Sequence, residues 1–282
     1  MRKAVAVFLV ITALFVALPC LSTPAAAQAP NIYYPHYLRR YAQRYEDYSA
    51  RNPELPFSRV IAYVNAGVDI PGYSYIQTID NPDDIKLMIN KNFRLPPGYE
   101  PGDMADIGYG SRMRAEAARR FLQMKEDAAI LGYRLVVIST FRSFQNQAGK
   151  YNEALASFTR ERAEQQFARP GHSEHQTGLA IDILHRMKSR EESMSDARFE
   201  NTGEYAWLRE NAHNYGFIQR YPREYRDVHG FIFEPWHWRY VGVEVATAMF
   251  DAGIGLFEEY YGMYLAPGVF IESENVLATR RW

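Results

Sequence analysis

Ser173-Glu174-His175-Gln176-Thr177-Gly178-Leu179-Ala180-Ile181-Asp182 and, further along, Glu234-Pro235-Trp236-His237-Trp238-Arg239-Tyr240 are the two stretches that decide how this chain is read. Each sets a strand-like run beside imidazole and carboxylate side chains. Two His, one Asp and one Glu make the donor inventory of a catalytic zinc site, in which three protein ligands leave a fourth position for water and the metal lowers that water's pKa to about 7. His175, Asp182 and His237 are the candidate ligands, and the same donors also suit other divalent ions. Glu234 is the candidate general base, because water attacking an amide needs a carboxylate to take its proton and pass it to the leaving amine. Residues three apart in a regular strand face opposite ways, which would separate Glu234 from His237. Pro235 cannot donate a ladder hydrogen bond, so an edge, bulge or turn is expected there, and it re-aims one of the two side chains. Thr177-Gly178 likewise lets a loop His175 converge with a strand Asp182.

The other histidines are read more plainly. A further ligand at His172 would close the site and remove the water position, so His172 is placed behind the ligands or in solvent. His185 and His213 are read as structural, and His36 and His229 carry no signal. Trp236 and Trp238 offer a surface for glycan or peptide, but aromatic residues flanking a core strand ordinarily pack into it.

The two segments resemble the zinc motifs of the VanY-like D-alanyl-D-alanine carboxypeptidases, a family that also contains L,D-carboxypeptidases. The resemblance extends through Ala62-Tyr63-Val64-Asn65, Asn90-Lys91, Leu95-Pro96, Phe141-Arg142-Ser143, Gln147, Trp207-Leu208 and Tyr215-Gly216-Phe217-Ile218. It departs at His229 and after Gly268, away from the proposed chemistry. The resemblance implies zinc on His175, Asp182 and His237, with Glu234 as base. It also implies that Arg142, Gln147 and Ser173 hold the peptide. A guanidinium meets a terminal carboxylate with two parallel hydrogen bonds, and stabilising the oxyanion is the other role open to Arg142. The substrate implied is the C-terminal D-alanine of peptidoglycan stem peptides. Cleavage of tetrapeptide stems by an L,D-carboxypeptidase and a non-catalytic, zinc-stabilised wall-binding module are the alternatives. A structural zinc site needs no base, so Glu234 argues against the module.

Residues 1–29 read as a secretory signal: Arg2-Lys3, an apolar run to Leu18, then small residues ending Ala25-Ala26-Ala27-Gln28-Ala29. The run is short for a membrane span, which wants about 20 apolar residues, so a membrane partner is expected only if the segment stays uncleaved. A periplasmic or extracellular monomer is the expectation. Cys20 is the only cysteine, so the mature protein has no disulfide available. Loss of the leader removes two of 32 basic residues and none of 33 acidic ones, taking the formal charge from −1 to −3. No basic footprint for nucleic acid remains. With 47% apolar residues the chain is well supplied for one sizeable core.

Along the chain, Tyr34, Tyr37, Tyr41, Tyr45 and Tyr48 recur at helical spacing, predicting a helix over 31–52 with an aromatic stripe. Residues 58–68 read as a strand. A helix is predicted from an N-cap at Ser111 to Gly132, a buried strand over 135–138, and a long polar helix over 144–168. Strands over 179–184 and 230–241 carry the ligands, and helices are expected over 205–215 and 243–252. The boundaries are 1–29 leader, 30–57 helical extension, 58–267 zinc carboxypeptidase domain and 268–282 tail. Helices and strands mix without βαβ alternation, which argues for α+β with a mostly antiparallel sheet. The resemblance agrees, implying the fold of D-Ala-D-Ala metallopeptidases and hedgehog-like domains, a small sheet with packed helices and a zinc-binding cleft.

Overall fold

The computed structural model describes residue 34 and residues 36–185 and 196–266; the expected leader and the tail after 268 lie outside the described residues. Helices α1 (Ala42–Arg51) and α2 (Phe57–Asn65) come first. The tyrosine stripe of α1 faces α2: the buried Tyr45 hydroxyl donates to Asn65 Oδ1 at 2.6 Å, and Tyr48 meets Tyr63 edge-on. Residues 58–68 are thus mostly helix, not strand. The apolar run Val60-Ile61-Ala62-Tyr63-Val64 suggested a strand, but Val60 to Asn65 are all buried in a helix whose polar residues sit only at its ends, Ser58 and Arg59 at the start and Asn65 at the finish.

Two short parallel strands, β1 (Gln77–Thr78) and β2 (Phe93–Arg94), precede a hairpin of β3 (Met104–Asp106) and β4 (Arg112–Arg114). Helix α3 (Ala115–Ile130) therefore starts after β4, and Ser111 is a hairpin residue, not its cap. The next strand, β5 (Val136–Ser139), is only partly buried, with Ile138, the residue skipped in the β5–β6 register, 50% exposed. The expected long polar helix is two: α4 (Phe144–Ser157) and α5 (Arg160–Gln166). The chain is extended at Phe158, and the Thr159 hydroxyl caps α5 by accepting from Arg162 N, a local bond that competes with continuing the helix.

The remaining elements are β6 (Ala180–Leu184), α6 (Gly203–Asn211), β7 (Phe217–Gln219), α7 (Arg226–His229), β8 (His237–Tyr240), α8 (Val243–Asp251) and α9 (Phe257–Tyr260). Of the span expected as strand over 230–241 only His237–Tyr240 pair as β8; residues 230–236 are loop and turn. Strands β5-β6-β8-β7 form one antiparallel sheet in that order. Its two faces differ sharply. Ile181, Ile183, Trp238, Tyr240 and Phe217 point into the main core with Phe121 and Met124 of α3 and Leu208 of α6. The alternate positions, among them Asp182, His237 and Arg239, face the other way.

A one-turn π segment after α9, Tyr261–Leu265, crosses α2 so closely that a Cβ on Gly262 would collide with the Ala62 carbonyl. Asn65 Nδ2 donates to Gly262 O at 3.0 Å in the same crossing. Replacing Gly262 by Ala is expected to cost about 1–3 kcal/mol, the usual penalty of overpacking. For a domain of this size that lowers the melting temperature by roughly 2–10 °C. Calorimetry checks it, and an unchanged transition would mean that this crossing is not tight.

Candidate active site and metal centre

Asp182 and His237 are direct partners in the β6–β8 ladder, which puts their side chains side by side on one face. Asp182 Oδ1 lies 3.0 Å from His237 Nδ1. His175 arrives from a 3₁₀ turn, Glu174–Thr177, and Gly178 at φ +67 bends the chain from that turn toward β6. Its Nδ1 is 2.7 Å from the Thr140 carbonyl, an acceptor only, so that nitrogen donates and Nε2 faces Asp182 Oδ2 at 3.2 Å. The rings of His175 and His237 stand edge to face at 5.0 Å. One ligand atom from each of the three residues falls within 4.8 Å of the others, and all three residues are buried. Two imidazole nitrogens and one carboxylate oxygen converging this way fit the donor set of a divalent transition ion.

Glu234 lies just ahead of β8. Its N–H donates to Tyr221 O and its carbonyl accepts from His237 N, both at 3.2 Å, making a turn through Pro235. That turn answers the strand-parity problem: the Glu234 carboxylate comes 3.9 Å from His237 Nδ1, on the same side of the chain. Arg142 follows β5. Its N–H donates to His175 O at 3.1 Å, and its guanidinium donates to Gln147 Oε1 at 2.7 Å and Ser139 Oγ at 2.9 Å. Gln147 Nε2 is spent on Ala168 O at 2.7 Å, so this side chain is engaged at both ends within the protein. Arg142, Ser173, Glu234 and Trp236 line one cavity of about 220 Å³ with the three converging residues.

Charges at the centre are strongly coupled. Burial opposes ionisation of Asp182, but the neighbouring His175 and His237 outweigh it and hold the carboxyl far below its usual range. His175 is pushed down by burial. Burial also pulls on His237, yet hydrogen bonds to Asp182 and Glu174 overcome it and raise the ring to about 10. Burial lowers Arg142 despite the attraction of Asp182 and Glu234.

A model of the VanY D-alanyl-D-alanine carboxypeptidase family matches residues 110–243. YodJ of Bacillus subtilis (strain 168), named as a carboxypeptidase, is 36% identical over 214 residues, which cover 73% of this chain and 76% of that protein. The chain belongs to the VanY family. Among solved structures, the LdcB LD-carboxypeptidase aligns with TM-score 0.60 at 35% identity, covering 67% of this chain and 90% of that one. A mutant of the vancomycin-resistance D,D-pentapeptidase VanY from a VanB-type cassette, solved in complex with Zn(II), aligns with TM-score 0.53 at 30% identity over 62% of this chain and 97% of its own. The α+β fold with a small antiparallel sheet is that of these VanY relatives, and the Zn(II) complex of the VanY mutant makes zinc the metal that the His175-Asp182-His237 group of this chain suits.

His172 stands apart from the group, with Nδ1 on Asn90 O at 2.9 Å and its ring edge-on to Tyr73. His185 stacks on Phe199, His213 on Phe250, and His229 is buried with Nε2 on Pro222 O. Trp238 is in the core, whereas Trp236 lines the cavity. Sequence reading missed Glu174, Arg220, Arg239 and Glu258, four buried charges behind His237. Arg239 was visible within the strand motif, on the face of His237 by simple alternation; nothing in the local sequence marked Arg220 or Glu258.

A pH dependence follows for protein stripped of metal by chelation. Because the folded His237 sits above the ordinary 6.5, its contribution to stability is complete below that pH and disappears as pH rises toward 10. Asp182 acts oppositely: its lowered carboxyl stabilises the fold above about pH 4 and that support is lost on acidification. Nitrogen-15 imidazole spectra of the stripped protein are expected to show His237 as imidazolium from pH 6 to 9. A ring that titrates near 6.5 refutes the coupling.

Proposed function

We propose that this chain is an exported, zinc-dependent metallocarboxypeptidase that removes the C-terminal D-alanine from peptidoglycan stem peptides, acting as a D,D-carboxypeptidase. The observation that carries the reading is the convergence of His175, Asp182 and His237 with Glu234 beside them in a cleft that also holds Arg142. Zinc bound by the three residues would polarise the scissile carbonyl and activate water. Glu234 takes the proton of the attacking water and returns it to the leaving amine nitrogen. Arg142 is pre-set by Gln147 and Ser139 to receive the free carboxylate, which makes the enzyme an exopeptidase by requiring a chain end. Ser173 lines the same cavity and completes the polar surroundings of the substrate's terminus. Export rests on the leader-like residues 1–29.

Glu234→Ala is expected to lower D-alanine release at least 10²-fold, at the scale of lost acid–base catalysis, while the protein still holds one zinc per chain. Metal analysis alongside a D-alanine assay checks both halves. Turnover retained by the variant would remove Glu234 from the mechanism.

A second reading, L,D-cleavage of tetrapeptide stems, is favoured by the likeness to the LdcB LD-carboxypeptidase. Purified tetrapeptide and pentapeptide muropeptides digested in parallel separate the two by product mass. The D,D-reading expects loss of one alanine from the pentapeptide and a tetrapeptide left intact; the reverse pattern establishes the L,D-enzyme.

A further inference from the structure

Glu174 sits in the 3₁₀ turn ahead of His175 and has no part in the chemistry above. It is fully enclosed. Its Oε1 accepts from Arg220 Nε at 2.9 Å and from Arg239 Nη1 at 2.8 Å, and its Oε2 lies 3.2 Å from His237 Nε2. Two guanidinium groups on one oxygen keep the side chain a carboxylate, which has only lone pairs to offer. A hydrogen bond between Oε2 and Nε2 therefore places the ring proton on Nε2. The other nitrogen, Nδ1, lies 3.0 Å from Asp182 Oδ1 on the cleft side, and it is the one that can give up its proton and turn a lone pair to a cation held there. His175 is set in the opposite sense, donating through Nδ1 to Thr140 O and presenting Nε2.

We propose that Glu174 is a positioning residue that fixes the tautomer and orientation of His237, so that this histidine meets the cation through Nδ1. The inference rests on the zinc reading above. Carboxylates behind a ligating histidine orient the ring and strengthen it as a donor. Arg220 and Arg239 make that possible in a dry interior by compensating the charge of Glu174. Arg220 is held in turn by Glu258 at 2.6 and 2.9 Å, and Arg239 by the carbonyls of Ile85 and Leu87, both at 3.1 Å. A network built only for stability would respond alike to any broken link. Positioning singles out Glu174.

The test compares Glu174→Gln with Glu258→Gln, each of which takes one carboxylate from Arg220. Zinc affinity is measured by competition with a chromogenic chelator at fixed pH, with folding followed by circular dichroism. Glu174→Gln is expected to weaken zinc binding about 10- to 100-fold, and Glu258→Gln to keep the wild-type affinity. Wild-type affinity in Glu174→Gln, or equal losses in both variants, overturns the proposal. Should Glu174→Gln fail to fold, nitrogen-15 imidazole spectra of the zinc-loaded wild type decide: a proton on Nε2 of His237 is expected, and one on Nδ1 overturns it. Failure of the wild type to bind zinc at all would defeat the functional reading itself, an outcome distinct from both.

Discussion

The pairing of Asp182 with His237 across β6 and β8 is the constraint on which the site depends. Side chains along a strand alternate with period two, so a slip of one residue would carry Asp182 into the apolar core and bring Ile183 or Trp238 into the cleft. What forbids the slip is the opposite face, where Ile181 lies across from Trp238 and both are sealed in the main core. The apolar face sets the register and the polar face inherits it. The register irregularity in β5 between Val137 and Ser139 belongs to the same design. Beyond it the chain delivers the Thr140 carbonyl to His175 and the Arg142 side chain to the cleft, so one bulge serves a proposed ligand and the proposed substrate anchor.

Placing that much charge in a dry interior has a physical cost. An isolated buried carboxylate or guanidinium loses several kcal/mol of hydration, and attraction offsets the loss only when every donor and acceptor is used. The arrangement behind His237 meets that condition through a chain of partners: Glu258 to Arg220, Arg220 and Arg239 to Glu174, and Glu174 to His237. Arg220 and Arg239 are entirely enclosed, yet each finds carboxylate and backbone oxygens. The network ties the 3₁₀ turn, Arg220 just after β7, strand β8 and α9 to one another.

Much of the site was legible in the sequence, for a definite reason. His175, Asp182, His237 and Glu234 are chemically distinctive, Gly178 and Pro235 mark the irregular points that let them converge, and the resemblance to the VanY-like carboxypeptidases singled them out. Helices α3 and α8 were also legible, because each has a stripe of apolar residues on one side. The failures share a cause, which is tertiary context overriding local pattern. Most of residues 58–68 belong to the helix Phe57–Asn65, whose buried run Val60–Asn65 packs against α1, α9 and the π segment, so its middle carried no polar residue to mark the period. The residues after Ser111 pair with β3 before any helix begins. Thr159 divides a polar stretch that composition alone would continue, and the loop before β8 is fixed by bonds to Tyr221 and Gln165 carbonyls far away in sequence. Arg220 and Glu258 stayed invisible because a buried ion pair formed across the fold leaves no local trace.

The division of labour between elements also explains how one fold suits more than one bond preference. The groups proposed to hold the cation sit on β6, β8 and a turn locked to both, where packing and backbone hydrogen bonds hold them rigid. Glu234 and Arg142 come instead from connections, the first from the turn before β8, the second from the segment between β5 and α4. Arg142 is aimed by Gln147, itself carried on a helix whose start is fixed by the Ser143 hydroxyl accepting from Asn146 N. The wall of the cleft around Trp236 and Ile232 belongs to the same loop as Glu234. Changes in these connections can therefore reshape what the substrate's terminal residue meets while leaving the register, and with it the His-Asp-His geometry, untouched.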